Sequence, residues 1–423
     1  MFKFLHAADL HLDSPLHGLG AYDGAPTERL RAAGRAALEN LVKLAISERV
    51  RFVLLSGDVF DGDWEDYNTG LFFVSQLGRL REQGIPVFLI SGNHDAASRI
   101  TRSLPYPNNV RSFPADQPQT HFLDDIRVAV HGQSYAEQKE LRNLAAGYPA
   151  ARPGWLNIAL LHTALDGREG HERYAPCKVD ELLAHDYDYW ALGHVHQRES
   201  QGRPSGPLIE FPGNIQGRHV RECGAKGCLL VHVDSSRNLR KEFRALDVCR
   251  WSLAAVDCGQ AESRNEVLER IHAALQDQLE QAEGRLLALR LRLEGACPIH
   301  DYIVARQEVL REEARSLAVA HGSDNLWIER LEVRTRPAQE ESTPLSDDAF
   351  AIVDEVTAQL RNDPQALESL LAATELRALL RKLPPELREG ADALDEQDPV
   401  WKVELVERAR ALLRQTALGK EAE

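Results

Sequence analysis

Phe2-Lys3-Phe4-Leu5-His6-Ala7-Ala8-Asp9-Leu10-His11 opens the chain: a short run rich in apolar and aromatic side chains, then an aspartate and a histidine two positions apart. The run has the length and composition of a buried strand and falls far short of the ~18 apolar residues of a membrane span. The same pattern recurs four times. Gly57-Asp58-Val59-Phe60-Asp61 follows an apolar run at 52–55, and Gly92-Asn93-His94-Asp95 follows one at 87–90. Leu161-His162-Thr163 closes a run at 158–161, and Gly193-His194-Val195-His196 follows one at 189–192. In open α/β sheets, ligand sites gather outside the carboxyl ends of strands, so five strands deliver polar residues to one rim.

Further runs at 126–130, 208–211 and 228–233 complete the strand set, with helical patterns at 28–48 and 68–83 between strands. Gly84 and Pro86 stop the second of these helices. The alternation predicts a mixed α/β layer fold with a catalytic domain over 1–248. From 249 to 337 the pattern becomes strand, helix (263–281), strand (285–293), helix (298–320, opened by Pro298) and strand (326–333), a small α+β domain. The stretch 336–344 is polar with two prolines and reads as a linker. Residues 345–423 read as purely helical, with apolar stripes Phe350/Val353/Val356/Leu360, Leu376/Leu379/Leu380/Leu383 and Trp401/Leu405/Ala409/Leu412. Each stripe must bury against something, either a neighbouring helix or a partner.

At 423 residues, two or three domains are expected. The formal net charge of −15 argues against coating nucleic acid by bulk charge, so any phosphate contacts must be local or come from metals or a partner. The exception is 203–250, where nine Lys or Arg outnumber five Asp or Glu. There Arg218, His219 and Arg221 are candidates to line a path for a phosphate backbone, and a solvated loop explains them equally well. Six cysteines without a C-x-x-C pair read as reduced thiols in a cytoplasmic protein, not as a disulfide framework. No signal peptide or membrane span is expected.

Asp9, His11, Asp58, Asn93, His162, His194 and His196 make a mixed oxygen and imidazole set, too many ligands for one ion with open positions. They suit two divalent ions sharing a bridging Asp58. Asp9, His11 and His196 complete one site, and Asn93, His162 and His194 the other. Side chains two apart on an extended segment share a side, which suits Asp-x-His and His-x-His. The mixed donors favour Mn, Fe or Zn over all-oxygen Mg or Ca sites. Such a pair clamps both oxygens of an in-line phosphoryl displacement and acidifies a coordinated water. His94, next to Asn93, is placed to assist the leaving oxygen, and Asp61 to orient its imidazole. Alone, Gly-Asn-His-Asp is a plausible turn and His-Val-His a polar strand end. Five such segments, each at a strand terminus, outweigh that explanation. His6 and His131 read as structural.

The order Asp-x-His, Gly-Asp-x-x-Asp, Gly-Asn-His-Asp, His, Gly-His-x-His resembles that of calcineurin-like metallophosphoesterases over residues 1–235. Within that superfamily, Leu5-His6-Ala7-Ala8-Asp9-Leu10-His11-Leu12-Asp13-Ser14-Pro15 resembles the bacterial SbcD exonuclease branch. Asp66-Tyr67-Asn68-Thr69-Gly70-Leu71-Phe72-Phe73 looks closest to YhaO-type DNA-repair exonucleases. The resemblance implies a four-layer αββα sandwich with two Mn ions, a capping domain over 249–337 that helps grip DNA, and a homodimer. It also implies that 345–423 docks a coiled-coil ATPase of the SbcC or YhaN type, the pair processing DNA ends. Seventeen Asp or Glu against ten Lys or Arg from Ser346 to Glu423 favour partner docking over DNA contact there. The competing expectations are a nucleotide or cyclic-nucleotide phosphodiesterase and a non-catalytic scaffold subunit. The same metal site serves either phosphodiesterase substrate, but the long extension past residue 248 suits DNA.

Overall fold

Alternation along the strands sets the layers. In β1 (Phe2–Ala7), β2 (Val53–Ser56) and β3 (Val87–Ile90), Leu5, Ala7, Val53, Leu55, Val87 and Leu89 join a core with helices α1 (Thr27–Ser47) and α2 (Tyr67–Glu82). Their neighbours Phe4, Leu54, Phe88 and Ile90 point the other way, into a second core. That core is shared with Val128 and Val130 of β6 (Val128–Gly132), Ile158 and Leu160 of β7 (Leu156–His162), and Tyr189 and Ala191 of β8 (Tyr189–Gly193). Trp190 and Leu192 of β8 face outward into a third core with Leu182 of α4 (Val179–Leu183). Three cores between four layers give the αββα sandwich. The computed structural model describes residues 1–16, 24–61, 67–97, 104–165, 174–202, 206–320, 325–338, 348–371 and 398–418.

Two six-stranded sheets carry these layers. One has the order β12-β11-β1-β2-β3-β4, the other β5-β6-β7-β8-β10-β9. The remaining strands are β4 (Val110–Ser112), β5 (Gln119–Leu123), β9 (Glu199–Ser200), β10 (Leu208–Phe211), β11 (Gly227–Val233) and β12 (Leu239–Ala245). β1, β2 and β3 run parallel, as do β6, β7 and β8. Helix α3 (Asn93–Ala97) starts just past β3. The first compact unit comprises Met1–Pro15 and Glu28–Trp251, and a second takes over at Ser252.

In the second unit, β13 (Cys249–Asp257), β14 (Leu286–Cys297) and β15 (Leu326–Pro337) form a sheet in that order. Helix α5 (Arg264–Gln281), capped by the Ser263 hydroxyl, packs on it. The helix expected over 298–320 is two: α6 (His300–Ala305) and α7 (Gln307–Ala320). Arg306 between them leaves helical geometry at φ −113°, ψ 22°. The expected linker starts late, because Arg336 and Pro337 still pair with Ala296 and Cys297. Helices α8 (Asp348–Asn362), α9 (Pro364–Leu371) and α10 (Pro399–Leu418) follow, and α10 packs on α6 and α8. Arg410 of α10 reaches Asp354 at 3.1 Å and Asp301 at 3.4 Å. On α10, Val406 and Ala411 are buried while Leu412 is exposed, so the buried face is turned from the expected Trp401/Leu405/Ala409/Leu412 stripe. A helix gripped from two sides buries more than one stripe. Leu376, Leu379, Leu380 and Leu383 lie outside the described residues. None of the six cysteines forms a disulfide. Among the described residues, no helix is long and apolar enough to cross a membrane.

Candidate metal centre

Parallel strands end on the same side, so the segments after β1, β2, β3, β7 and β8 meet. Backbone hydrogen bonds carry the β1–β2 pairing past the strands: Asp9 N–H donates to Gly57 O at 3.1 Å and His11 N–H to Asp58 O at 3.1 Å. The side chains turn inward only because the backbone leaves its usual basins. Asp9, His11, Asp58 and His194 have φ of 52°, 44°, 51° and 100°. Left-handed backbone at non-glycine residues costs of order 1–3 kcal/mol each and concentrates at functional sites.

Asp95 clasps two of the loops. Its buried carboxylate accepts the N–H groups of Val59, Phe60 and Gly92 at 3.2, 3.0 and 3.1 Å. Two glycines are there because nothing else fits. A Cβ on Gly92 would lie 2.3 Å from Asp58 Oδ1, and one on Gly193 would lie 2.0 Å from the Ser56 carbonyl oxygen.

The seven expected ligands converge. Ligand atoms of Asp9, His11 and His196 lie within 4.8 Å of one another, as do those of Asp58, His162 and His194. Asn93 Oδ1 lies 3.0 Å from His162 Nε2 and 3.2 Å from His194 Nδ1. Asp58 faces both groups, with Oδ2 4.0 Å from His11 Nε2 and 3.3 Å from His162 Nε2.

The donor chemistry tests whether cations fit. His196 Nδ1 lies 2.7 Å from the Glu222 carboxylate, and His11 Nδ1 faces Asp61 at 3.4 Å. Each carboxylate draws the ring proton to Nδ1. That leaves the two Nε2 lone pairs facing each other at 3.0 Å. Burial and the Arg218 charge push His11 down to about 4, so its ring is neutral near pH 7. On the other side, His162 Nδ1 is 2.9 Å from the Ser56 carbonyl oxygen, which holds the proton there and turns Nε2 toward Asn93 and Asp58 oxygens. Burial opposes charge on His162, but Asp58 and Asp9 raise it to about 9. Lone pairs facing each other on one side, and on the other an imidazole that keeps a second proton only because the Asp58 and Asp9 carboxylates crowd it, are what a pair of divalent cations resolves, and the residues fit them.

Beside the cluster, His94 Nδ1 lies 2.8 Å from Asp61 Oδ1, with the ring about a third exposed (36%). Asp61 also receives the Ser14 hydroxyl at 2.5 Å and the Arg218 guanidinium at 3.4 Å. Burial raises the Asp61 carboxyl, but hydrogen bonds from His11 and His94 outweigh it and hold it well below the usual range. Burial lowers His94 and its hydrogen bond to Asp61 raises it, with a net rise.

Sequence reasoning missed Glu222. It is buried at 5% exposure and also accepts Asn214 Nδ2 at 2.9 Å and Arg218 Nη2 at 3.0 Å. It counted only as one of five acids in a basic stretch. Its spacing of four from Arg218 was the available signal. Arg218 itself is drawn inward, pairing with Asp61 and Glu222. His219 Nδ1 accepts the Arg221 N–H at 3.2 Å, and both side chains are less buried than Arg218. His6 is fully buried between Tyr189 Oη (2.9 Å) and the Leu192 carbonyl oxygen (3.1 Å). His131 bonds Thr120 and Asn157 and stacks on Tyr187. Neither touches the cluster.

Residues 2–198 match the family model of calcineurin-like phosphoesterases, so fold and site define a metal-dependent phosphoester hydrolase. Residues 251–336 match the middle domain of the metallophosphoesterase YhaO. The chain is 34% identical over 325 residues to the metallophosphoesterase YhaO of Bacillus subtilis, covering 74% of this chain and 79% of that protein. It belongs to the YhaO family of metallophosphoesterases. It is also 22% identical over 425 residues to the DNA double-strand break repair protein Mre11 of Methanopyrus kandleri, 91% of this chain and 84% of that one. A dimetal phosphatase from Danio rerio aligns with a TM-score of 0.37 at 12% identity, over 58% of this chain and 96% of that one.

Proposed function

We propose that this protein is a DNA nuclease that trims or cuts DNA ends with two Mn ions. One ion is held by Asp9, His11, Asp58 and His196, the other by Asp58, Asn93, His162 and His194. The pair, when bound, supplies positive charge to the phosphate and an activated water for in-line displacement. The observation that carries the proposal is the His94–Asp61 contact of 2.8 Å at the edge of the ligand cluster. With Nδ1 committed to Asp61, His94 offers Nε2 to the leaving oxygen, as a proton or hydrogen-bond donor. Arg218 braces Asp61 from behind, leaving His219 and Arg221 as contacts to backbone phosphates.

DNA as substrate is supported by the likeness to a protein named for double-strand break repair, which runs through 91% of this chain. A coiled-coil ATPase of the SbcC or YhaN type is the proposed partner of the C-terminal helices. Exposed Ile352 and Val356 on α8, Leu370 on α9, and Leu412 and Leu413 on α10 support that docking. A homodimer through the catalytic unit belongs to the same proposal.

The test is to incubate the purified chain, with Mn or with chelator, against linear duplex DNA, single-stranded DNA and bis-p-nitrophenyl phosphate, alongside His94→Ala. Metal-dependent DNA cleavage lost in the variant is expected. Cleavage of nucleotides or cyclic nucleotides but of neither DNA, even with the ATPase present, would replace DNA by a small-molecule substrate.

A further inference from the structure

His196 lies in the connection between β8 and β9, outside both strands, so its main chain is not set by a sheet ladder. Its ring is held by Glu222 at 2.7 Å. Its carbonyl is held as well, from the far end of the same loop between β10 and β11. Lys226, the residue before β11, donates from Nζ to the His196 carbonyl oxygen at 2.9 Å. The Asn214 N–H approaches that oxygen at 3.4 Å, a long and weaker contact. Gly213, at φ 78°, closes another side, since a Cβ there would lie 2.9 Å from the same oxygen.

Lys226 is an unusual donor for that task. It is buried, at 5% exposure, and buried lysines are rare because an ammonium is costly to take out of water. Burial lowers its pKa, against Glu222, Cys223 and Asp247, which raise it. Both carboxylates are near enough to act on its charge, yet the group it bonds is the main-chain oxygen of a metal-type residue. An ammonium makes a strong, charge-assisted donor to such a carbonyl.

We propose that Lys226 is a positioning residue of the metal centre. It fixes the His196 carbonyl while Glu222 fixes the ring, and the two together set where His196 Nε2 stands. The inference rests on the assignment of His196 as a ligand, and Lys226 acts only through it. A ring held at Nδ1 alone still swings with its backbone, and a working site needs its groups held to within about 0.5 Å. Holding both ends of the residue removes that freedom. The loop from β10 to β11 thus reaches His196 twice, once with a carboxylate and once with an ammonium.

The experiment is calorimetric titration of the chelator-stripped full-length chain with Mn. It compares the parent with Lys226→Met, Lys226→Arg and Lys241→Met, with melting curves for each. Lys241 is the control, because it pairs at 2.5 Å with buried Glu210, which is not one of the seven ligands. The parent should take up two ions. Lys226→Met should weaken one of the two by about tenfold or more and leave the other, as expected for a group that holds a ligand from behind. Lys226→Arg keeps a charged donor and should recover most of that loss, and Lys241→Met should cause none. Should Lys226→Met fail to fold, Lys226→Gln, whose head falls short of the carbonyl, is read in its place. Unchanged affinity at both sites, an equal loss at both, the same loss in Lys241→Met, or a loss that Lys226→Arg does not recover would overturn the inference and leave the metal assignment standing. A parent that binds fewer than two ions would overturn both.

Discussion

Glu222 Oε1 lies 2.7 Å from Nδ1 of His196, although the two residues are 26 apart in sequence and on different segments. The contact fixes which ring nitrogen carries the proton, and so which one is offered to a cation. Burial raises the Glu222 carboxyl, but the His196 hydrogen bond and the Arg218 charge outweigh it and hold it well below the usual range. It is an anion throughout the working pH range.

Replacing Glu222 by Gln keeps the shape and removes the charge. A carboxylate that holds the far nitrogen of a ligating imidazole is worth about 10–100-fold in metal affinity. Titration of the apo protein with Mn, followed by calorimetry, should show that loss at one of two sites, with a far-ultraviolet spectrum like that of the parent. Unchanged affinity at both sites would mean that His196 is not a ligand.

Asp61 touches His94, His11, Ser14 and Arg218. Asp61→Asn should lower kcat on bis-p-nitrophenyl phosphate by about 10²-fold or more, since an unoriented general acid forfeits most of its effect. His94→Ala should lower it similarly and keep both metals. Combining the two should cost little more than either alone, because they act as one unit. Additive losses would assign Asp61 to another task.

The two tight glycines should fail in different ways. In Gly193→Ala the new methyl meets backbone, and its φ-constrained neighbour His194 cannot move aside, so the fold should lose about 2 kcal/mol or more. In Gly92→Ala it meets the Asp58 carboxylate instead, so metal binding should fall further than stability. Chemical denaturation and metal titration of both variants separate these outcomes.

His6 makes stability depend on pH. Burial lowers it to about 3, against the hydrogen bond to Leu192. Below the ordinary histidine value of about 6.5, the unfolded chain gains a proton that the folded one refuses. The stability tied to a neutral His6 is therefore complete above pH 6.5 and is lost as pH falls toward 3, at up to about 1.4 kcal/mol per unit. His6→Gln should flatten the stability profile between pH 6 and 4 by that amount, whatever it does at pH 7.

The sequence was legible where burial was complete. β1, β3 and β10 begin and end where their apolar runs do, because both faces of each are covered. β4, β5, β9 and β12 went unseen because they are edge or near-edge strands with half-exposed, polar side chains and no apolar run to betray them. β6 starts two residues later than its run suggests, since Ile126 and Arg127 close a turn on Leu123 and Asp124. At the site, residues that follow a strand directly were found from the pattern. Glu222 and the bracing role of Arg218 were not, because what defines them is a neighbour far away in the chain. Asp95 stood in plain view in Gly92-Asn93-His94-Asp95, but its work is done on backbone N–H groups, which leave no trace in a sequence.

That clasp has a consequence for how such a protein can change. Because Asp95 ties the Asp58 loop to the Asn93 loop through the main chain, the spacing of those two side chains does not depend on what surrounds them. Substitutions on the loops around the cluster that spare Asp95 therefore leave the distance between Asp58 and Asn93 where it is. In that respect the backbone, and not the neighbouring side chains, is the gauge to which the centre is built.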